Sequence, residues 1–487
     1  MFSTLNLNRL SRFLWGAALV TLPVTSFRYF PFLDDNTYVR PLSLYPLALL
    51  LPVLIVQWLR RVRSFPWAGS ALLLAVFILA VLFASSLGAV FDPILLRGQN
   101  YLSRAVRAWA ALIIGIIFFA SAAWMNRDEV DLKFTVKWLL VGFGFDLVWS
   151  GLQAVTFYTP LLEKEMVTHW QLAFSMRELV RTNRISGLAY EPSWLAGQIA
   201  SIYAPILFGS LLTGFHLAPR MKWLEPALLI LSLLLLFATY SRGGILITLG
   251  AAALTFLFVG RAASRAAWKW FVSGFRTRLV VDGLLRLGLL LALAGVVVGA
   301  FTFLSQKNYF RRLWEISADS IGEYIIDINA GARGAYAAGA LQAFEDHPLT
   351  GVGLGASGFH IYQNLPDWSL TTVPEIARQL NPANRLYPNP KNMYVRLLAE
   401  IGLIGFVLFL VFQFSILGDT LVLLPFGGWP RFLGVAGLFA WLAIGLYNGT
   451  QDSFAVPNIW IIPGMLAGIS NSFSSLTPLQ KEQGKEN

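Results

Sequence analysis

The sequence predicts an all-α polytopic membrane protein with about twelve transmembrane helices and a large polar segment on the outer side of the membrane. Two observations carry that expectation. The chain is 56% hydrophobic and only 13% charged, a composition suited to lipid rather than water. Its apolar residues also fall in unbroken runs instead of the alternation of barrel strands, and in lipid such runs must satisfy their own backbone groups as helices. Zero cysteines exclude disulfides and thiolate metal sites, and His169, His216, His347 and His360 lack paired-ligand spacing, so no metal or other cofactor is expected. The formal charge of +11 does not point to nucleic acid, because the basic residues sit between apolar runs and not along one continuous face.

Crossing a hydrocarbon core of roughly 30 Å takes about 20 residues. Apolar runs of that order lie near 12–28, 41–59, 67–90, 105–125, 138–158, 192–213, 224–240, 244–259, 287–304, 394–417, 431–448 and 457–473. The first, with Arg9 and Arg12 ahead of it, resembles a signal sequence, but no convincing small-x-small cleavage pattern follows and it reads as a retained helix. Only Tyr240, Ser241, Arg242 and Gly243 separate the seventh and eighth runs. An even number of spans puts both termini on one side. Arg60, Arg61, Arg63, Lys133, Lys137, Arg220, Lys222 and the basic stretch from Arg261 to Arg286 share that side, which makes it the cytoplasm. The expected organisation is N-terminal spans with an outer interfacial segment over 1–180, a core over 181–430 containing an outer loop over 305–392, two more spans over 431–473, and a cytoplasmic tail over 474–487.

Two outer segments are longer than a simple connection needs. In Thr159–Tyr190, Leu162, Met166, Trp170 and Phe174 recur at helical spacing among charges, which predicts an amphipathic helix at the interface. The second, from Ser305 to about Lys391, predicts a helix over Arg333–Phe344, then a Gly-rich turn and a Pro/Asn-rich stretch. Long ordered loops of this kind usually carry function.

Several ionisable residues cluster at the outer mouth: Arg181, Arg184 and Glu191 before the sixth span, Arg242 in the tight turn, Arg333 in the long loop, and Lys391, Arg396 and Glu400 entering the tenth. A charge at membrane depth costs roughly 2.5–3.5 kcal/mol, so one that persists has a partner or a ligand. Converging cations want an anion, and planar guanidinium forks suit phosphate oxygens without a divalent metal. Each residue also has a plainer reading: Arg242 as a snorkelling turn residue, Glu191 as a carboxylate favoured at a helix N-terminus, Glu400 as the structural partner of Arg396 one turn away, Lys391 as an interfacial anchor. The glycines of His347-Pro-Leu-Thr-Gly-Val-Gly-Leu-Gly355 serve a sharp turn and close approach rather than a dinucleotide loop, since no βαβ unit surrounds them. Asn448-Gly-Thr matches a glycosylation acceptor by pattern only.

In combination these segments resemble the O-antigen ligase and O-antigen polymerase superfamily of bacterial surface-glycan enzymes. The resemblance rests on Arg184-Ile-Ser-Gly-Leu188 with Glu191-Pro-Ser, Tyr240-Ser-Arg-Gly-Gly, Arg333 ahead of Asp346-His-Pro-Leu-Thr-Gly-Val-Gly-Leu-Gly, and Lys391-Asn392 with Ala399-Glu-Ile-Gly-Leu-Ile-Gly405. It covers roughly residues 180–410. It implies a metal-independent membrane glycosyltransferase of GT-C-like architecture in the bacterial inner membrane, acting at the periplasmic face on a polyprenyl-diphosphate-linked oligosaccharide donor. A glycan or lipid would be the acceptor, and a chain-length regulator or flippase a working partner. Arg184, Arg242 and Arg333, with Arg181 nearby, would bind the diphosphate, because fixed guanidinium groups stabilise charge developing on a leaving group. Ligases of the family carry a histidine where this chain has Lys391. Lysine acts as a base only if its surroundings keep it neutral, so the catalytic candidates are Lys391, Glu191 and His347, with His360 as a further possibility. The substitution favours a polymerase of surface polysaccharide over a ligase. A polysaccharide flippase or other transporter is the alternative from another class. Against it stand sparse intramembrane charge, Asp146 being the clearest case, and no evident inverted repeat.

Overall fold

The computed structural model describes residues 4–29, 38–91, 95–179, 183–277, 281–306, 311, 323, 326, 330–381 and 387–474. Among them the chain is helical apart from turns and isolated bridges. In chain order the helices are α1 (Thr4–Val20), α2 (Leu44–Leu59), α3 (Gly69–Phe91), α4 (Tyr101–Met125), α5 (Glu129–Tyr158) and α6 (Lys164–Leu172). There follow α7 (Pro192–Thr213), α8 (Leu224–Ala238), α9 (Arg242–Val259), α10 (Arg261–Thr277) and α11 (Asp282–Ser305). The long loop carries α12 (Gly331–Asp346), α13 (Ser357–Gln363), α14 (Asp367–Thr372) and α15 (Pro374–Leu380), and the chain closes with α16 (Met393–Leu423), α17 (Gly428–Asn448) and α18 (Ile461–Ser474).

Seven of these helices, α3, α4, α5, α7, α9, α16 and α17, are long and apolar enough to cross a membrane. α2 and α8 are apolar but shorter. The run expected over 12–28 is displaced: α1 begins and ends earlier, because Pro23 has no amide proton and disfavours helical geometry at Leu22. Beyond it the chain lies between two other segments, with Phe27 N donating to Arg40 O (2.8 Å) and Met176 N to Ser26 O (3.2 Å). The amphipathic helix expected in 159–190 is present as α6, with Val167 and Gln171 buried and Met166 and Trp170 exposed. Arg333–Phe344 lies within α12, as its spacing predicts.

Small residues let the spans approach closely. A side chain at Gly464 or Gly468 would run into the carbonyls of Phe119 and Ala123 on α4, and one at Gly115 into the Trp460 indole. One large apolar core fills the bundle, and a second, built from Ala332, Ala335, Tyr336, Phe359, Ile376 and Ala399 among others, binds α12, α13 and α15 onto the start of α16. The α12–α15 part of the long loop is therefore a packed cap with its own interior. The ends of α1, α5, α8 and α17 meet the beginnings of α7, α9 and α16 at one end of the bundle. Tyr190 N donates to Thr25 Oγ1 (3.0 Å), the Tyr158 and Tyr240 hydroxyls lie 3.3 Å apart, and Tyr394 Oη donates to Gly445 O (2.6 Å). At the opposite end Asp131 pairs with Arg12 (3.1 Å) and Arg63 (2.6 Å).

Candidate functional site

Arg184 sits in a loop that is held from beneath by α5. Gln153 accepts from the amides of Ser186 (3.0 Å) and Gly187 (2.9 Å) and donates to Gly187 O (2.9 Å), and Asp146 accepts from Leu188 N (2.7 Å). Asp146, the intramembrane charge noted in the sequence, is thus a fully buried clamp on the Arg184 segment. The Arg184 guanidinium donates through Nε to Thr239 O (2.9 Å) and through Nη2 to Tyr240 O (3.5 Å). Those carbonyls belong to the tight turn between α8 and α9. There Tyr240 takes a left-handed φ of 49°, and Ser241 caps α9 by accepting from Gly244 N (3.3 Å). Arg242 is the first residue of α9 and follows directly.

On the other flank of that turn lies Thr450, just past the end of α17. A Cβ placed on Gly243 would be 3.9 Å from Thr450 Cγ2. Arg333, in the first turn of α12, donates through Nη1 to Thr450 O (2.8 Å) and Lys391 O (3.3 Å). The turn carrying Arg242 therefore stands between Arg184 and Thr450, and Arg333 closes on Thr450 from the cap. Three arginines from separate stretches share one end of the bundle. Main-chain carbonyls orient the Arg184 and Arg333 guanidinium groups. Arg181 lies outside the described residues.

Lys391 is held more tightly than an interfacial anchor would be. Its backbone is left-handed, with φ 53°, a conformation costly for a residue with a side chain. Its amide donates to Asp452 Oδ2 (2.8 Å), and its ammonium pairs with Glu375 of α15 and lies 5.2 Å from the centre of the Tyr336 ring. Arg396 and Glu400 pair as their spacing predicts, Nε to Oε2 at 2.9 Å, and Arg396 also donates to Asp452 O (2.6 Å). Burial pushes the Asp452 carboxyl above its ordinary range, against the opposing pull of Arg396 and the Lys391 amide.

Glu191 is exposed at the start of α7, where it accepts from Ser193 Oγ (3.0 Å). Both Glu191 and Arg333 lie within electrostatic range of the Tyr447 hydroxyl. His347 is not brought to this cluster. It follows the C-terminus of α12, whereas Arg333 is at the N-terminus, and at 1.5 Å per residue the two are separated by roughly 20 Å. Its neighbour is His360, whose imidazole is pulled below its ordinary value by burial and then by His347, with Asp346 opposing. The segment after His347 does what its glycines suggest. Val352 N donates to Ala399 O (3.0 Å) and Gly353 N to Glu400 O (2.8 Å), so the turn lies directly against α16.

Sequence reasoning missed Arg177 and the Gly449–Ser453 stretch. Burial pulls the Arg177 guanidinium below its ordinary value, with Glu191 and Tyr190 opposing and Arg184 adding to the shift. Arg177 therefore belongs to the neighbourhood of Glu191 and Arg184, and its only visible signal was its place in a charge-rich outer segment. Thr450 was read through the glycosylation pattern alone, and Asp452 was not read at all. Asn448 is fully buried, which closes that reading.

These features define a helical protein with several helices apolar and long enough to cross a membrane and with arginines from separate stretches gathered at one end of the bundle. Residues 227–410 match the family model described as O-antigen ligase, and this stretch belongs to the O-antigen ligase and polymerase superfamily. The match takes in the Tyr240 turn, Arg333, the glycine turn and the Lys391–Gly405 segment, and leaves Arg184 and Asp452 outside it. It supports a membrane glycan-processing role of the transferase type. No curated protein matches the chain.

Proposed function

We propose that the chain polymerises polyprenyl-diphosphate-linked oligosaccharide repeat units into a surface polysaccharide. The reading rests on one observation above the others: Arg184, the Arg242 turn and Arg333 meet at one end of the bundle, next to Lys391. In the reaction an acceptor hydroxyl attacks the donor sugar's anomeric carbon. The bond from that carbon to the diphosphate oxygen breaks, and the electron pair leaves with the diphosphate. Guanidinium groups already fixed in place stabilise that charge as it forms. Lys391, ion-paired to Glu375, has no lone pair to accept a proton and acts as a further cation at the leaving group. Glu191 takes the proton from the attacking hydroxyl. No metal is required by this chemistry, and no nucleotide sugar.

The site end is the periplasmic face of the inner membrane in this proposal. Lys133 begins the α5 end that faces away from the arginines, and Arg60, Arg61 and Arg63 follow the end of α2 there, as the positive-inside rule requires. Arg184→Ala and Arg333→Ala should each abolish polymer while the protein still inserts and folds. Surface glycan of normal chain length from either variant would sink the proposal. The family description favours a second reading, transfer of finished glycan to a lipid or protein acceptor. Reconstitution with lipid-linked repeat units separates the two, because a polymerase lengthens the glycan without any further acceptor, and a flippase forms no glycosidic bond at all.

A further inference from the structure

We propose that α10 is a docking surface for the anionic headgroups of phospholipids at the membrane face opposite the arginine cluster. α9 begins at Arg242 in the cluster and runs 18 residues, about 27 Å at 1.5 Å per residue. Its far end is therefore at the other face, and a single residue, Gly260, separates it from α10. The chain connection itself thus sets α10 at the membrane surface.

The residues of α10 suit that position. Arg261, Arg265 and Lys269 follow one another at i, i+4 and i+8, which aligns them along one side of a helix, and all three are exposed. Trp268, 67% exposed, and Phe271 sit beside that stripe with ring centres 6.1 Å apart. No acidic residue occurs between Arg261 and Thr277, and among the described residues no carboxylate forms an ion pair with the three cations. Elsewhere at this end Arg12 and Arg63 share Asp131, and Lys133 pairs with Glu129. The helix is also held in orientation. Arg286 at the start of α11 lies 4.6 Å from the centre of the Trp270 ring and donates to Trp270 O and to Ser273 Oγ (3.0 Å). A fixed amphipathic helix with an uncompensated basic stripe and adjoining tryptophan matches a negatively charged lipid surface. Nucleic acid is disfavoured by the direct connection to α9, a helix long and apolar enough to cross the membrane.

The test is native mass spectrometry of the full-length protein in detergent, mixed with phosphatidylglycerol or with phosphatidylcholine. Wild type should retain phosphatidylglycerol in preference. The triple variant Arg261→Gln, Arg265→Gln, Lys269→Gln should lose roughly a hundredfold in affinity for it while binding phosphatidylcholine unchanged. Independently of any variant, retention by wild type should fall as sodium chloride is raised from about 0.05 to about 0.5 M, since exposed charges are screened. Equal retention of the two lipids by wild type, or phosphatidylglycerol retention that the triple variant leaves intact, would overturn the proposal. Displacement by inorganic phosphate at constant ionic strength would also overturn it, by showing a free-anion site in place of a lipid surface.

Discussion

Glu400→Ala should destabilise the folded protein by about 3–5 kcal/mol, the usual cost of leaving a buried charge without its partner. Glu400 is 2% exposed and holds two other elements at once. One carboxylate oxygen accepts from Arg396 Nε (2.9 Å) and the other from Ser357 Oγ of α13 (2.7 Å). Removing it strands the nearly buried Arg396 guanidinium, which in turn orients Asp452 through its main-chain oxygen, and Asp452 receives the Lys391 amide. The loss should spread from stability to the site. Glu400→Gln keeps the hydrogen bond to Ser357 but removes the charge, and should fall between alanine and wild type. Thermal unfolding of the purified protein in detergent measures both. A Glu400→Ala loss of less than about 1 kcal/mol, the range of a solvent-exposed ion pair, would show that the network carries no structural load.

The sequence made some of this arrangement visible and hid the rest for a physical reason. Helical runs are legible because lipid permits only self-satisfied backbone, and the Arg396–Glu400 pair because one helical turn separates its members. The glycines of the 347–355 turn announced a close approach, although not its partner. What stayed hidden were contacts between side chains and main-chain groups far apart in the chain. Arg333 on Thr450 O and Lys391 N on Asp452 span 117 and 61 residues, and carbonyl oxygens carry no residue-type signature. His347 was misjudged in the opposite sense. It adjoins a motif and so looked like part of the site, but the rigid length of α12 carries it away from Arg333. The early end of α1 follows from Pro23, which a hydropathy run averages over.

Gly402→Ala should cost about 3 kcal/mol or more and displace the glycine turn from α16. Gly402 interrupts α16 with φ 63° and ψ −170°, a region essentially closed to residues with a Cβ, where strain amounts to about 1–3 kcal/mol. A Cβ there would stand 2.4 Å from the carbonyl carbon and oxygen of Leu349, main-chain atoms that cannot rotate aside. The break exists because two segments exchange hydrogen bonds across it. Leu403 N donates to Pro348 O (2.8 Å) and Ile404 N to Leu349 O (3.3 Å), while Val352 N and Gly353 N donate back to Ala399 O and Glu400 O. Forcing the turn away leaves buried amides and carbonyls unpaired, each at about 1–3 kcal/mol. Because Arg333, Lys391 and Glu375 all depend on how the cap sits on α16, surface polymer should shorten or vanish along with stability. Gly418→Ala on the same helix, where a Cβ meets nothing within 4 Å, should leave both unchanged and controls for alanine in α16 as such. Equal unfolding temperatures for the two variants would mean that the kink at Gly402 does not seat the cap.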